Sequence, residues 1–387
     1  MKQTVNAMMQ LIRSEICGEA LPQGFGELLT GEQCKRLYVL SKKHDLAHLV
    51  GVALDNRGLL GEGEASERFR HQSVMAVYRY QQLQYAYEQV CGLLEELELR
   101  FLPLKGSVLR AFYPQPWMRT SCDIDILVQT KDLERAKEAL VSRLGYRFEA
   151  ENSYDWAFFS PTGVHLELHH SLLEEGDEKT YHNSLTRIWE LVTPKNGGAE
   201  QVMSDGLFYT YHVYHMVKHY VLGGCGVRPF LDLWILNHRV PFDPAQRKKM
   251  LDAEGLSAFA AGAEALSEAW FGGAEHTDLT LEMEGFLLKA GVYGNLENKV
   301  AVQQVRRGSK WKYALSRIWM PYNVLKIHYP VLKKHRWMLF FCQVARWFRL
   351  LFRGGVKRGI GELSMNQSVS GEQQAQTEAM LEKLGLR

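Results

Sequence analysis

Two aspartates one residue apart, Asp123 and Asp125, lie in the run Cys122-Asp123-Ile124-Asp125-Ile126-Leu127-Val128, which has the apolar content of a buried strand. Side chains two apart on a strand share a face, so both carboxylates converge on one side while Ile124 and Ile126 hold the other in a core. Like charges brought together at partial burial are costly without a compensating cation. A hard, oxygen-ligated divalent ion suits two carboxylates with no cysteine or histidine triad nearby, Mg²⁺ first and Mn²⁺ as its substitute. The pattern alone is common by chance, so its surroundings decide its weight.

Upstream, Lys105-Gly106-Ser107 falls between a strand and a helix, where a small turn lets backbone N–H groups approach phosphate oxygens. Downstream, Leu166-Glu167-Leu168 sets a third carboxylate between apolar neighbours, and His169 shares the face of Glu167. Arg119 and Ser121 have the parity of the two aspartates, so an early start to the extended chain would turn a guanidinium and a hydroxyl the same way. Such a set could hold a triphosphate; the alternative is a solvent-facing acidic edge with ordinary salt bridges. Further on, His215 and His219 have the i, i+4 spacing of zinc ligands, but Met216 stands where the H-E-x-x-H glutamate would be and no third ligand is evident. That helix is expected instead to pack over the cleft, with Lys218 or His219 reaching phosphate and Arg228 pairing with Asp232, or to serve structure alone.

The elements that must position these residues are legible from periodicity. Residues 1 to 98 read as helical, with the longest pattern from Ser66 to Glu98 carrying Val74, Val77, Tyr78, Leu83, Tyr87, Val90, Leu94 and Leu97. Tyr78, Tyr80, Tyr85 and Tyr87 could form a stacking platform for bases, though aromatics on a long helix more often serve a core. At Leu99 the period changes to short apolar runs, 100–104, 122–128, 146–148, 156–159 and 164–168, with helical spacing at 107–113 and at 131–144, the latter stopped by Gly145. From Ser204 helices return at 204–222, 229–237, 244–253, 257–271 and 279–290.

With these elements in order, the chain resembles the uncharacterised nucleotidyltransferase family of bacteria and archaea, within the DNA polymerase β-like nucleotidyltransferase superfamily. The residues that carry the likeness are Leu104-Lys105-Gly106, Arg119-x-Ser121-x-Asp123-x-Asp125-x-Leu127-Val128, Gly145-Tyr146, Glu167-Leu168-His169, the stretch His215 to His219, and Asp232-Leu233, from about Lys43 to Asn295. The resemblance implies an α+β fold, a polymerase β-like domain with a small mixed sheet, flanked by N- and C-terminal helical regions. It implies transfer of a nucleoside monophosphate from an NTP, ATP first, to an unidentified acceptor hydroxyl. Asp123, Asp125 and Glu167 would hold two Mg²⁺ ions, Glu167 as third ligand or base. Lys105 and Arg119 would neutralise phosphate, with Gly106, Ser107, Ser121, His169, Lys218 and His219 also toward the nucleotide. The rival readings are a non-catalytic nucleotide-binding protein and a toxin-like enzyme acting on tRNA.

Bulk composition excludes intrinsic disorder and a collagen-like repeat: 387 residues, 46% hydrophobic, 46 Lys+Arg against 44 Asp+Glu. The net charge of +2 conceals segregation, because Ala301 to Ile360 holds fourteen Lys or Arg and no acid, leaving −12 on the remainder. Six scattered cysteines without a CxxC are expected as free thiols in a reducing compartment. The N-terminus lacks a signal peptide's apolar core, and the longest apolar run, Trp337 to Phe352, contains Arg346 and Arg349, where a span needs roughly 20 residues with few charges. The expected location is cytoplasmic, with a peripheral membrane role open. Trp337 to Arg353 reads as a basic amphipathic helix with Arg346, Arg349 and Arg353 on one face, fit for a core, for an anionic membrane surface or for a nucleic acid. The expected organisation is a helical region 1–98, the nucleotidyltransferase domain 99–200, a helical region 201–300, the basic aromatic segment 301–361, and a polar linker, 367–376 at its centre, with a tail helix in 362–387. The oligomeric state is left open.

Overall fold

The structure, a computed structural model, describes residues 2–174, 183–352, 361 and 364–387. They form two compact units, one of residues 1–214 with 227–276, the other of 215–226 with 277–387.

In the first unit α1 (Lys2–Ile12), α2 (Gly31–Lys43), α3 (Ala47–Asp55) and α4 (Glu64–Glu96) precede the sheet. Thr30 begins α2 by accepting the Gln33 N–H on its hydroxyl, satisfying one donor that the first turn leaves over. At 33 residues α4 runs to about 50 Å at 1.5 Å per residue, longer than the sheet it serves. Only its C-terminal half, with Leu83, Ala86, Val90, Leu93 and Leu94 buried, joins the core beneath the strands. Val74, Val77 and Tyr78 face solvent instead, although their spacing fits the core pattern; over that half the helix packs on α2 and α3 through Phe69. Tyr78 and Tyr85 are exposed and accept hydrogen bonds from Gln82 and Gln89 one turn on.

Five strands follow, β1 (Phe101–Pro103), β2 (Asp123–Val128), β3 (Arg147–Glu151), β4 (Asp155–Phe159) and β5 (His165–His169), with α5 (Lys105–Leu109) and α6 (Leu133–Leu144) among them. The order is β1-β2-β5-β4-β3, with β2 and β5 parallel and every other pair antiparallel. Gly145, at φ +68°, ends α6 in the left-handed conformation that costs glycine least. Alternation along the two central strands gives the sheet two unlike faces. Ile124, Ile126, Val128, Leu166 and Leu168 enter the core with α4 and α6, and each such burial contributes about 1.5–3 kcal/mol. The polar residues of the same strands are left on the other face. The chain is thus a mixed α+β protein, mostly helical with one small sheet. Helices α7 (Ile188–Leu191), α8 (Asp205–Val221), α9 (Arg228–His238), α10 (Pro244–Ala253) and α11 (Ser257–Ser267) continue it, and the division between units falls within α8, after Tyr214.

The second unit contains α12 (Asp278–Ala290), α13 (Leu296–Arg307), α14 (Lys310–Ile318), α15 (Tyr322–His328), α16 (Val331–Lys334), α17 (Leu339–Phe352) and α18 (Gly371–Lys383). Val300, Ala301, Tyr313 and Val369 form one small core, and Leu325, Leu332 and Cys342 another. The polar stretch 367–376 differs from the linker expected: Val369 is buried and Ser370 caps α18 by accepting the Gln373 N–H at 3.0 Å. Polarity there marks a helix start and an exposed face. Arg353, Lys357, Arg358 and the side chains of Leu351 and Phe352 lie outside the described residues. No described helix is long and apolar enough to cross a membrane, and all six cysteines are free thiols.

Candidate active site

Parallel pairing of β2 with β5 sets Asp123 opposite His165, Asp125 opposite Glu167 and Leu127 opposite His169. Because side chains two apart share a face, Asp123, Asp125, His165, Glu167 and His169 gather on the side turned away from the α4/α6 core. Nε2 of His169 lies 3.0 Å from Asp125 Oδ1 and 3.3 Å from Glu167 Oε2, and must carry a proton, since carboxylates only accept. His165 Nδ1 lies 3.8 Å from Glu167 Oε1, and Lys105 Nζ lies 3.6 Å from Asp125 Oδ2. Tyr154 stacks on the His169 ring at 5.8 Å.

These contacts divide the two aspartates. Burial raises the Asp123 carboxyl, and Asp125 and Glu167 add to it, so that it is pushed up to about 6. Burial acts likewise on Asp125, but the Lys105 ammonium and the His169 hydrogen bond outweigh it and hold the carboxyl well below the usual range. Burial opposes the charge on Lys105, yet Asp125, then Tyr211, Asp123 and Glu167, keep its pKa above the ordinary lysine value. Burial likewise opposes the His169 charge, and its bonds to Asp125 and Glu167 raise the pKa nonetheless. Asp125 is therefore balanced by fixed protein cations, while Asp123 carries charge that its surroundings do not stabilise.

Potential ligand atoms of Asp123, His165 and Glu167, and of Asp125, Glu167 and His169, fall within 4.8 Å of one another in each set. Three carboxylates, with Glu167 common to the two sets, fit a hard divalent ion such as Mg²⁺ or Mn²⁺.

The segment before β2 has a different role from the one its parity implies. β2 begins at Asp123, so Arg119 and Ser121 precede the extended run. Arg119 donates from Nε and Nη2 to the two oxygens of Asp232 on α9, both at 3.0 Å, and Tyr113 donates to Asp232 Oδ1 at 2.8 Å. The fork expected to neutralise phosphate is thus taken by a buried carboxylate. Arg228, expected on Asp232, instead donates to Asp45 at 2.9 Å and to the Thr120 carbonyl at 2.8 Å. Together the two arginines tie the segment 119–121 to α9. Ser121 Oγ accepts from Arg110 Nη2 at 2.9 Å, and Arg110 Nε donates to the Gly106 carbonyl at 2.9 Å.

Gly106 sits against this lattice: a Cβ there would lie 2.9 Å from Arg119 Nη1 and 3.3 Å from the Ser121 Cβ. Glycine is needed at this position for close approach. Lys105 itself has φ +34°, a left-handed conformation costing a residue with a Cβ about 1–2 kcal/mol, in return for which its side chain reaches Asp125. α5 is only five residues long, and Ser107 lines a cavity of about 400 Å³ whose lining includes none of the three acids. Lys218 and His219 belong to the second unit, where His219 Nε2 lies 3.0 Å from His215 Nε2; neither joins a group of three metal-capable side chains among the described residues.

Two members of the site escape the sequence reading. His165 could have been found, because His165-x-Glu167-x-His169 shares one strand face. Tyr211 on α8, buried and facing the charge of Lys105, carries no local signal.

The mixed sheet thus bears three carboxylates on two adjacent strands, close enough together to share a cation. The family of uncharacterised nucleotidyltransferases matches residues 30–272, and the chain belongs to that family. Among solved structures, the solution structure of the antibiotic-resistance factor ANT(2'')-Ia aligns with 50% of this chain and 92% of its own, at 15% identity and a TM-score of 0.26, too low to bear on the fold. No curated protein matches the chain.

Proposed function

We propose that the protein transfers a nucleoside monophosphate from an NTP, ATP first, to an acceptor hydroxyl, on a polymerase β-like arrangement of the sheet. The observation that carries this reading is the register of Asp125 with Glu167 on parallel strands, which joins the Asp123/Asp125 pair to a third carboxylate. Asp123, Asp125 and Glu167 would hold two Mg²⁺ ions, with Mn²⁺ as substitute. When bound, the ions neutralise triphosphate charge and lower the pKa of the acceptor hydroxyl.

The chain's own residues supply the rest. The acceptor oxygen forms a bond to the α-phosphorus as the bond to the β-phosphate oxygen breaks, and pyrophosphate leaves. The hydroxyl proton passes to Glu167, oriented by His169 at 3.3 Å. Lys105, held charged beside Asp125, offers a point charge to phosphate. Arg119 and Asp232 act through Gly106, fixing the turn that carries Lys105. Six free thiols and an NTP substrate suit a cytoplasmic location.

The test is incubation with each NTP radiolabelled at the α-phosphate, Mg²⁺ and fractionated lysate. One fraction should become labelled by wild type and not by Asp123→Asn. Binding of Mg-ATP with no labelled product in any fraction would favour a nucleotide-binding protein without transfer.

A further inference from the structure

The second unit displays a surface that nucleotidyl transfer does not use. On α14, Trp311, Leu315 and Ile318 fall at i, i+4 and i+7 and all three face solvent, Trp311 at 86% exposure, while Tyr313 on the other side is buried. Around α17 the arrangement recurs: Trp337, at 70% exposure, Phe340, Phe341 and Phe348 point outward, whereas Cys342 and Gln343 are inside. A globular helix ordinarily turns its apolar stripe to the core and its polar face to water. Here the stripes are outside.

The rings are also continuous. Trp347 lies 6.2 Å from Trp319, Trp319 6.2 Å from Phe340, Phe340 6.0 Å from Phe341 and Phe341 6.2 Å from Trp337. Contiguous exposed apolar surface of this kind marks an interaction site. The charged residues of the same segment have one sign: Lys312, Lys333, Lys334, Arg336 and Arg349 are exposed, and no acid occurs from Ala301 to Ile360.

We propose that this face docks on an anionic lipid surface, the aromatic chain entering the headgroup and upper acyl region and the cations meeting lipid phosphates. Tryptophan and phenylalanine beside lysine and arginine are the composition of an interfacial helix, and net positive charge selects anionic lipid. No described helix is long and apolar enough to cross, so the surface lies on the membrane. A nucleic acid would use the cations and some rings, but would gain nothing from Leu315, Ile318, Val324 and Val331, all exposed in the same segment. This docking stands independently of the transferase chemistry.

The experiment is flotation of the full chain with vesicles of phosphatidylcholine alone and of phosphatidylcholine mixed with phosphatidylglycerol, followed also by tryptophan emission. The chain should float with the phosphatidylglycerol vesicles, shift its emission to the blue, and release as salt rises. Lys333→Ala with Lys334→Ala and Arg336→Ala should weaken binding by roughly a hundredfold. Trp337→Ser with Phe341→Ser should cut binding and part of the blue shift. Both sets change exposed residues, and Asp123→Asn should float like wild type, so a failed transferase reading leaves this test intact. The proposal is overturned by no flotation with phosphatidylglycerol, by equal flotation with phosphatidylcholine alone, by tighter binding to an RNA oligomer at the same salt, or by a dimer that the Trp337→Ser/Phe341→Ser pair dissolves without vesicle binding.

Discussion

Asp125 on β2 and Glu167 on β5 are register partners across a parallel pair, and one nitrogen of His169, Nε2, lies within 3.3 Å of both. Two carboxylates on separate strands are thereby held as one unit. Residues that act as a unit do not add. Asp125→Asn and Glu167→Gln should each lower turnover by on the order of 10³-fold, and the double variant should be little worse than either single one. A double-mutant cycle on turnover measures this; fully multiplicative losses would show that the two act separately.

Metal binding should be visible in stability as well as in turnover. A ligand that binds only the folded chain adds about 2.7 kcal/mol at a hundred times its dissociation constant. Mg²⁺ or Mn²⁺ should raise the Tm of wild type. Asp123→Asn should remove that rise while leaving the metal-free Tm equal or slightly higher, because it deletes a charge that burial and two carboxylates disfavour. Thermal melts with and without the ion check both parts.

The Arg119–Asp232 fork makes a separate prediction about folding. Both side chains are buried, at 8% and 1% exposure, so removing one partner strands the other's charge. Asp232→Ala should cost about 3–5 kcal/mol. Gly106→Ala should cost about 1–3 kcal/mol, since the added methyl group meets an arginine that cannot swing away without releasing Asp232. Urea unfolding reads each directly.

The same pair sets part of the acid sensitivity. Burial opposes the charge on Asp232, but Arg119 outweighs it and holds its pKa below the usual value. A carboxyl depressed on folding contributes stability that is fully present above its unfolded pKa, about 3.9, and is lost as pH falls through the folded value. Unfolding free energy should therefore drop on acidification below about pH 4. Asp232→Asn should start less stable and show a shallower drop over that range. An unchanged slope would remove Asp232 from the acid response.

Much of this site was readable because strand parity is a local rule: Asp123 and Asp125, Glu167 and His169, and the stop at Gly145 follow from spacings of two and from one residue's backbone freedom. Pairing between strands is set by the whole sheet, so the register that puts Asp125 beside Glu167 had to come from the structure. The partner of Arg119 lies 113 residues away on α9, and nothing near Arg119 distinguishes a fork aimed at phosphate from one closed on a carboxylate. The exposure of Val74 and Tyr78 is hidden from the sequence for a related reason, because both have core spacing on a helix that outruns the sheet beneath it.

The central claim is tested most directly by pyrophosphate release from ATP with Mg²⁺ and the lysate fraction that accepts label, comparing wild type with Asp123→Asn. The account predicts one pyrophosphate per nucleotide transferred by wild type and none above background from a folded Asp123→Asn. Equal release by both proteins would contradict it.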